Sequence, residues 1–429
     1  MPTPDPLSEA HPGSSAPKPS VAPGPPGAPA PPGSPGAPRR ILIIRPTALG
    51  DVARSVPALV SLRKAFPDAH IDWLVAKAFA EAVRHHPMLD GVIEFDRKEL
   101  ARFGLSPAST RAGWRFAKLL RAKKYDAVYD LQGLFRSGLF TRITGAPKRV
   151  GFANAREAAW LGYNTRHHID ASLHTVDRML ALLEADGVTP VRDIQLHLSQ
   201  QDADWLNTFK QDHGIGDTGY TCIAPTARWG CKCWPIERYG QIARKMIEHN
   251  LVGDKLILIA SPSEREQVLS IFETLMGDGP MNNAAGSASA ASYEGSSGGS
   301  SGETSGVNSG AASGQNPVGG DLRDQVVFPT TTVGQMMALL SEPRVLICND
   351  SAPLHIAVGF HRPIVALFGP TDPALVGPYQ QPDSVIRPTD ADQYQSNYRK
   401  HLDDPTLISK ITVDEVWANL LQQITSVLK

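Results

Sequence analysis

The chain reads as an α/β protein made of two doubly wound parallel sheets that face each other across a cleft. Three observations predict this. Short apolar runs alternate with amphipathic stretches from residue 40 onward, and the pattern restarts near residue 220. Each half also contains an apolar strand that runs straight into a polar turn and then a helix: R-I-L-I-I-R-P-T-A-L-G-D at 40–51, and R-V-L-I-C-N-D-S-A-P-L-H at 344–355. Strands alternating with helices imply parallel pairing with right-handed crossovers. Such sheets bind ligands outside the carboxyl ends of their strands.

The first half opens with I-L-I-I at 41–44, an uninterrupted apolar run that suits a strand buried on both faces. Val52, Val56, Leu59 and Phe66 then mark a helix, with Pro57 tolerable near its first turn. H-I-D-W-L-V-A at 70–76 is the next strand, followed by a helix around 78–85 and the strand V-I-E-F at 92–95. A helix near 111–122, the strand D-A-V-Y-D-L at 126–131, a helix over 134–143 and the strand R-V-G-F at 149–152 complete this half. A polar, helical stretch around 175–212 leads to the second half. There the strands are Y-T-C-I-A-P-T at 220–226, K-L-I-L-I-A at 255–260, Q-V-V-F-P at 325–329, R-V-L-I-C at 344–348 and P-I-V-A-L-F-G at 363–369. Helices are expected at 236–249, 263–274, 332–341 and 353–360, with a last amphipathic helix at 413–428.

Two segments do not fit a folded core. Residues 1–38 hold 14 of the 36 prolines, and residues 281–320 hold 10 Ser and 10 Gly among 40 positions. Neither shows apolar periodicity, so the first is expected to be disordered or polyproline-like and the second a flexible insertion. Removing both leaves 429 − 38 − 40 = 351 residues, or about two domains at ~150 residues each. The expected division is a tail at 1–38, a domain at 39–210 and a domain at 211–429. The last helix is a candidate to pack on the first domain.

The net charge of −1 gives no general attraction to polyanions, and no nucleic-acid partner is expected. Charge is uneven, however. Between Arg111 and Arg178 there are 13 Lys and Arg against 5 Asp and Glu, an excess of 8. That excess is either a solvated helical surface or a dock for an acidic acceptor or a membrane. The N-terminus lacks the apolar core of a signal peptide, and no run of ~18 apolar residues is present to span a bilayer. Cys222 and Cys348 sit in apolar strands, and Cys231 and Cys233 form a C-x-C without two further ligands nearby, so no metal is expected there. This cysteine usage suits a reducing cytoplasm.

The candidate chemistry lies at the strand-to-helix turns. Asp51 follows Gly50 just past the first strand; it either caps the next helix or serves as a base at the mouth of the sheet. Lys232, in C-K-C-W-P, stands just before a helix start. A cation there is either an exposed loop residue or the partner of a bound anion. Thr226 ends the preceding strand and could add a hydrogen bond. Ser351 can cap the helix that begins near Pro353, and His355 falls in its first turn. Free N–H groups and the positive dipole end make that turn an anion site, most often for phosphate. Asp350 could hold the turn or reach ligand hydroxyls. Two D-x-D sequences, Asp202 with Asp204 and Asp390 with Asp392, follow no buried strand and read as solvated charges rather than metal ligands.

Four blocks carry a resemblance: I-L-I-I-R-P-T-A-L-G-D-V at 41–52, D-L-Q-G-L-F-R-S-G-L at 130–139, K-C-W-P at 232–235, and N-D-S-A-P-L-H-I-A through F-G-P-T-D-P at 349–373. Over roughly 40–425, without the insertion, the chain resembles glycosyltransferase family 9, the ADP-heptose:lipopolysaccharide heptosyltransferases. The stretch A-R-E-A-A-W-L-G-Y-N-T-R-H-H-I at 155–169 is similar to the heptosyltransferase I branch, which adds the first heptose to Kdo. The resemblance implies a GT-B fold and an inverting transfer without metal or resident cofactor. The donor would be an ADP-heptose-like nucleotide sugar. The acceptor would be an acidic lipid-linked saccharide, met from the cytoplasm at the inner face of the cytoplasmic membrane. By motif, Asp51 resembles the general base, Lys232 the diphosphate contact, and Ser351, Ala352 and His355 the phosphate turn. Glu264, in S-P-S-E, stands where the family keeps a carboxylate for ribose, and Arg136 and Arg156 are candidates for the acceptor. Ala352 replaces the usual Gly, which would strain a backbone of positive φ. Residues 1–38 and 281–320 have no family counterpart. A different nucleotide sugar or acceptor on the same scaffold, or an idle nucleotide-binding scaffold, would share the fold and turns.

Overall fold

A computed structural model describes residues 36–394 and 402–427, except Ala101, Phe103, 262–263, 267 and 270–321. The expected insertion at 281–320, nearly all of the expected tail and much of the expected helix at 263–274 lie outside the described residues.

Two six-stranded sheets form the molecule, and every pairing in them is parallel. In the first sheet the strands are β1 (Arg40–Ile44), β2 (His70–Ala76), β3 (Gly91–Phe95), β4 (Ala127–Asp130), β5 (Lys148–Phe152) and β6 (Thr165–His167), in the order β3-β2-β1-β4-β5-β6. In the second they are β7 (Tyr220–Ala224), β8 (Lys255–Leu258), β9 (Val326–Val327), β10 (Leu346–Asn349), β11 (Ile364–Leu367) and β12 (Val385–Ile386), in the order β12-β11-β10-β7-β8-β9. Strand order reverses beside β1 and β4 in one sheet and beside β7 and β10 in the other. Those are the switch points where crevices open.

Residues 41–44 are wholly buried because helices cover both faces of the sheet. Ile41 and Ile43 face a core shared with the second half, while Leu42 and Ile44 face a separate apolar layer under the helices Pro107–Ala122 and Phe135–Thr144. A third apolar cluster fills the far face of the second sheet.

The structure departs from the sequence-based expectation in several places. The expected helix over 52–66 is two helices, Leu49–Ala53 and Val56–Ala65, joined at Arg54–Ser55. The helix Gln200–Asp212, assigned by sequence to the first domain, packs on the helix Val333–Leu339 of the second half. Its Lys210 bonds Glu342 at 2.7 Å. The chain crosses earlier, where Val191 N–H bonds Ser61 Oγ at 2.8 Å and Leu196 N–H bonds the Gly359 carbonyl at 2.9 Å. The last helix, Val413–Val427, packs on β11 and on the helix Ile236–Glu248, not on the first half. Its Val416, Leu420 and Ile424 fill the cluster on the far face of the second sheet. No helix among the described residues is long and apolar enough to cross a membrane.

Candidate active site

At the end of β10 the buried Asn349 joins two strand ends. Its Nδ2 donates to the Pro225 carbonyl at 2.7 Å, and its Oδ1 accepts from Trp234 N–H at 3.1 Å and Tyr239 Oη at 2.9 Å. This satisfies a buried amide and fixes the 225–234 loop beside the next turn. Lys232 lies in that loop and donates to Asp350 Oδ2 at 2.5 Å, and Thr371 Oγ1 donates to the same oxygen at 2.8 Å. Gly369 lets the loop sit this close, since a Cβ there would lie 2.7 Å from the Cys231 carbonyl oxygen. Burial raises the Asp350 pKa, but the Lys232 charge, with hydrogen bonds from Lys232 and Thr371, outweighs it and leaves the carboxyl below its ordinary range.

Ser351 has extended backbone and precedes the helix Ala352–Gly359. Its hydroxyl does not cap that helix; Oγ is buried without a hydrogen-bond partner. A buried polar group left so costs ~1–3 kcal/mol and marks a place for a ligand or water. Ala352 lies in the first helical turn and has no positive φ, so the strain expected from Ala in place of Gly is not present. His355 is buried on the same helix. Burial, with Arg54 nearby, lowers its pKa to about 3 against the pull of Asp350 and Asp51, so the ring is neutral at neutral pH.

Asp51 closes a helix end and is also partly open to the cleft. Its Oδ2 accepts from Ala48 N–H at 3.2 Å and so closes the N-terminus of its own helix. Its Oδ1 bonds Arg54 and lies 3.4 Å from Arg45 Nη2. The side chain remains 26% exposed, enough to meet a ligand. Burial raises its pKa, yet the two guanidiniums outweigh burial and hold the carboxyl well below the usual carboxylate range. Arg45 is itself buried, and its Nη1 bonds the Leu131 carbonyl at 2.5 Å.

The two halves meet at this point. A Cβ built on Gly50 would lie 2.6 Å from His355 Cδ2 and 3.4 Å from Ala352 Cα. The helix that carries Asp51 therefore presses its backbone on the helix that begins after Ser351. Further bonds hold the halves together nearby. Arg54 Nη1 donates to the Val376 carbonyl at 3.2 Å, Thr175 Oγ1 to the Leu375 carbonyl at 3.0 Å, and Tyr379 Oη to Asp177 Oδ1 at 2.8 Å. His174 stacks on Tyr379 with ring centroids 5.1 Å apart.

The remaining candidates are spread more widely. Thr226 Oγ1 donates to Glu264 Oε2 at 3.0 Å, and Ser261 Oγ donates to the same oxygen at 2.5 Å, which joins the loops after β7 and β8. Arg136 and Arg156 are both exposed, and they face different surroundings. Arg136 lines a groove on the outer face of the first sheet, while Arg156 lies near Arg178. Asp202 and Asp204 bond Ser199 and Gln200 of their own helix, while Asp390 and Asp392 pair with Lys410 and Arg387.

Sequence reasoning missed Arg45, Arg54, Asn349 and Thr371. Arg54 stands three residues after Asp51 in the same helical segment, a spacing that brings side chains together. Arg45 follows the first strand directly. Thr371 lies within the quoted F-G-P-T-D-P block.

Two parallel sheets with their ligand-binding edges opposed form a GT-B-type fold. The model for glycosyltransferase family 9 (heptosyltransferase) matches residues 113–277 and 315–403, and the chain belongs to that family of sugar-transferring enzymes. It is 24% identical over 380 residues to the lipopolysaccharide core heptosyltransferase OpsX of Haemophilus influenzae, covering 86% of this chain and 89% of that one. The fold matches a family 9 glycosyltransferase of Veillonella parvula with a TM-score of 0.67 at 22% identity, covering 90% and 97% of the two chains. It also matches Escherichia coli heptosyltransferase WaaC, solved with ADP-2-deoxy-2-fluoro heptose, with a TM-score of 0.62 at 21% identity, covering 89% and 99%.

Proposed function

We propose that this enzyme transfers a heptose-like sugar from ADP-heptose to an acidic, Kdo-type saccharide of the lipopolysaccharide core, with inversion and without a metal. One observation carries the reading. The Gly50–Asp51 segment of one half packs directly on the Ser351–His355 turn of the other, so a carboxylate and an anion-binding turn can act on one bound molecule. The relatives that share the fold and most of the chain length include a lipopolysaccharide core heptosyltransferase and an enzyme solved with an ADP-heptose analogue, which supports the donor and acceptor classes.

In this reading the diphosphate sits at the start of the helix Ala352–Gly359. It accepts from the orphan N–H groups there and from the unpaired Ser351 hydroxyl, and Lys232 faces its charge. Thr226 and Glu264 meet the nucleoside, with the carboxylate on ribose hydroxyls. Asp350 keeps Lys232 in place. Neutral His355 packs under Gly50 and brings no second positive charge to the cleft. Asp51 accepts the proton of the acceptor hydroxyl as that oxygen bonds to the anomeric carbon. The bond from that carbon to the diphosphate oxygen breaks, and its electron pair leaves with ADP on the opposite face. Arg54 and Arg45 keep Asp51 ionised but make it a weak base, so proton transfer follows rather than precedes charge build-up on the attacking oxygen. Arg136 and Arg156 supply positive charge for the acidic acceptor. The work site is the cytoplasm, at the inner membrane face where a lipid-linked acceptor is presented.

The test is incubation of the purified chain with ADP-heptose and a Kdo-bearing lipid acceptor. The expected product is the acceptor heavier by one heptose, formed in the presence of a chelator. Thermal stabilisation by UDP or GDP but not ADP, with no such product, would sink the reading.

A further inference from the structure

The outer face of the first sheet carries a groove that shares only Arg136 with the residues assigned to sugar transfer. Its walls are the helices Pro107–Ala122 and Phe135–Thr144, which both run from the carboxyl edge of the sheet toward its amino edge. The groove has a volume of about 850 Å³. Its floor is aromatic: Phe140 meets Phe116 and Phe95 edge-on, with ring centroids 5.3 and 5.4 Å apart. Arg97, Lys118, Arg121, Arg136, Arg142 and Arg149 line it, and no Asp or Glu does. None of these six cations forms an ion pair with a described residue.

Large apolar side chains surround the same groove. Leu105 is 82% exposed, Trp114 67% and Phe135 57%, with Leu139 at 44% beside them. Leu161 is 61% exposed on the short helix Ala159–Gly162, which packs on Phe135–Thr144. Like charges crowded together repel one another and favour an anionic partner, and a contiguous exposed apolar surface marks an interaction site. A flat array of anionic headgroups above hydrocarbon satisfies both features at once. A second copy of the chain fits poorly, because a two-fold contact would set these six cations against the same six.

We propose that this face docks on an anionic lipid bilayer. Headgroup phosphates enter the groove between the two helices, and Leu105, Trp114, Phe135 and Leu139 enter the headgroup layer. The proposal rests on the function proposed above only for its purpose. Arg97 and Arg136 lie at the carboxyl edge of the sheet, the edge that also carries Asp51. A docked enzyme would therefore hold its cleft beside a lipid-linked acceptor.

The test is vesicle co-sedimentation of the full chain with no nucleotide sugar present. Vesicles containing phosphatidylglycerol should bind the protein, pure phosphatidylcholine should not, and added salt should weaken binding. At about fivefold per cation, the triple variant Lys118→Gln/Arg121→Gln/Arg142→Gln should bind on the order of a hundredfold more weakly. Arg121→Lys/Arg142→Lys should bind like the parent, because charge and not guanidinium shape is required. Leu105→Ser, at a position 82% exposed, should leave the fold intact and lose binding severalfold, so the proposal stays testable if the triple variant misfolds. Equal binding to both vesicle types, or unchanged binding of a folded triple variant, would overturn it. So would a dimer in solution that the triple variant dissolves, since that assigns the face to a second copy. Failure of sugar transfer would leave the vesicle result standing, and the two proposals fail separately.

Discussion

Gly50 is the position where the two halves come closest, and Gly50→Ala tests that contact. The added Cβ would sit 2.6 Å from His355 Cδ2, whereas ordinary contact begins near 3.4 Å. Something must retreat by about 0.8 Å, the difference between those two distances. His355 is buried and cannot swing into solvent, so the retreat falls on the helix Ala352–Gly359. Overpacking of this kind costs ~1–3 kcal/mol. Ala is favoured over Gly within a helix by ~1 kcal/mol, which offsets part of that cost. The net expectation is a loss of ~0–2 kcal/mol in stability. Activity should suffer more, because a shift of ~1 Å between catalytic groups costs on the order of 100-fold in rate. Denaturant titration and steady-state transfer rates of Gly50→Ala, His355→Ala and the double variant close a cycle. The double variant should be more stable than the sum of the singles by ~1 kcal/mol or more, since removing the ring makes room for the methyl. A Gly50→Ala enzyme with parental rate and stability, or a cycle without coupling, would refute the close contact.

Three further outcomes follow from the same geometry. Lys232→Ala leaves Asp350 buried beside only Thr371 and His355. It should cost ~3–5 kcal/mol in stability and weaken ADP binding at least tenfold by calorimetry. Arg54→Gln removes the stronger of the two charges on Asp51. The acid limb of the kcat/KM profile should move upward in pH, and an unmoved limb would remove Asp51 as the titrating group. His355 titrates near pH 3 when folded and near 6.5 when unfolded, so the unfolded state binds more protons between those values. Its stabilising effect is complete above pH 6.5 and is lost as pH falls toward 3. His355→Asn should flatten the fall in stability by ~1.4 kcal/mol per pH unit near pH 5 in denaturant titrations. His86, also held neutral by burial and titrating near pH 4, keeps a residual slope in that variant.

The parts of the fold that sequence disclosed were those with a local signal. Ile41–Ile44 and Leu346–Cys348 are unbroken apolar runs because parallel strands are covered on both faces. β6 and β12 carried no such signal, since Thr165–His167 and Val385–Ile386 are short edge strands that are half-buried or exposed. The end of the first domain was misread because Gln200–Asp212 is polar on most positions. Its two buried apolar residues, Leu206 and Phe209, do not say which half they face. The placement of Asp51, Lys232 and the Ser351–His355 turn at strand-to-helix junctions was legible, because an apolar run followed by a polar turn marks such a junction. Their pairing was not legible. That Lys232 bonds Asp350 depends on how strand ends 118 residues apart in sequence are brought together, while Arg54 and Arg45 meet Asp51 through the local turn of the chain after the first strand. The division of Arg136 from Arg156 likewise follows from helix packing and not from spacing.

The most direct test of the shared cleft is the transfer rate of Asp51→Asn at saturating donor, read beside its ADP affinity. The amide keeps the shape and its bond to Ala48 while removing the charge and the proton acceptor. A loss of ~100-fold or more in kcat, with ADP affinity kept and the fold intact by circular dichroism, is the expected result. A folded Asp51→Asn enzyme that transfers sugar at the full parental rate would contradict it.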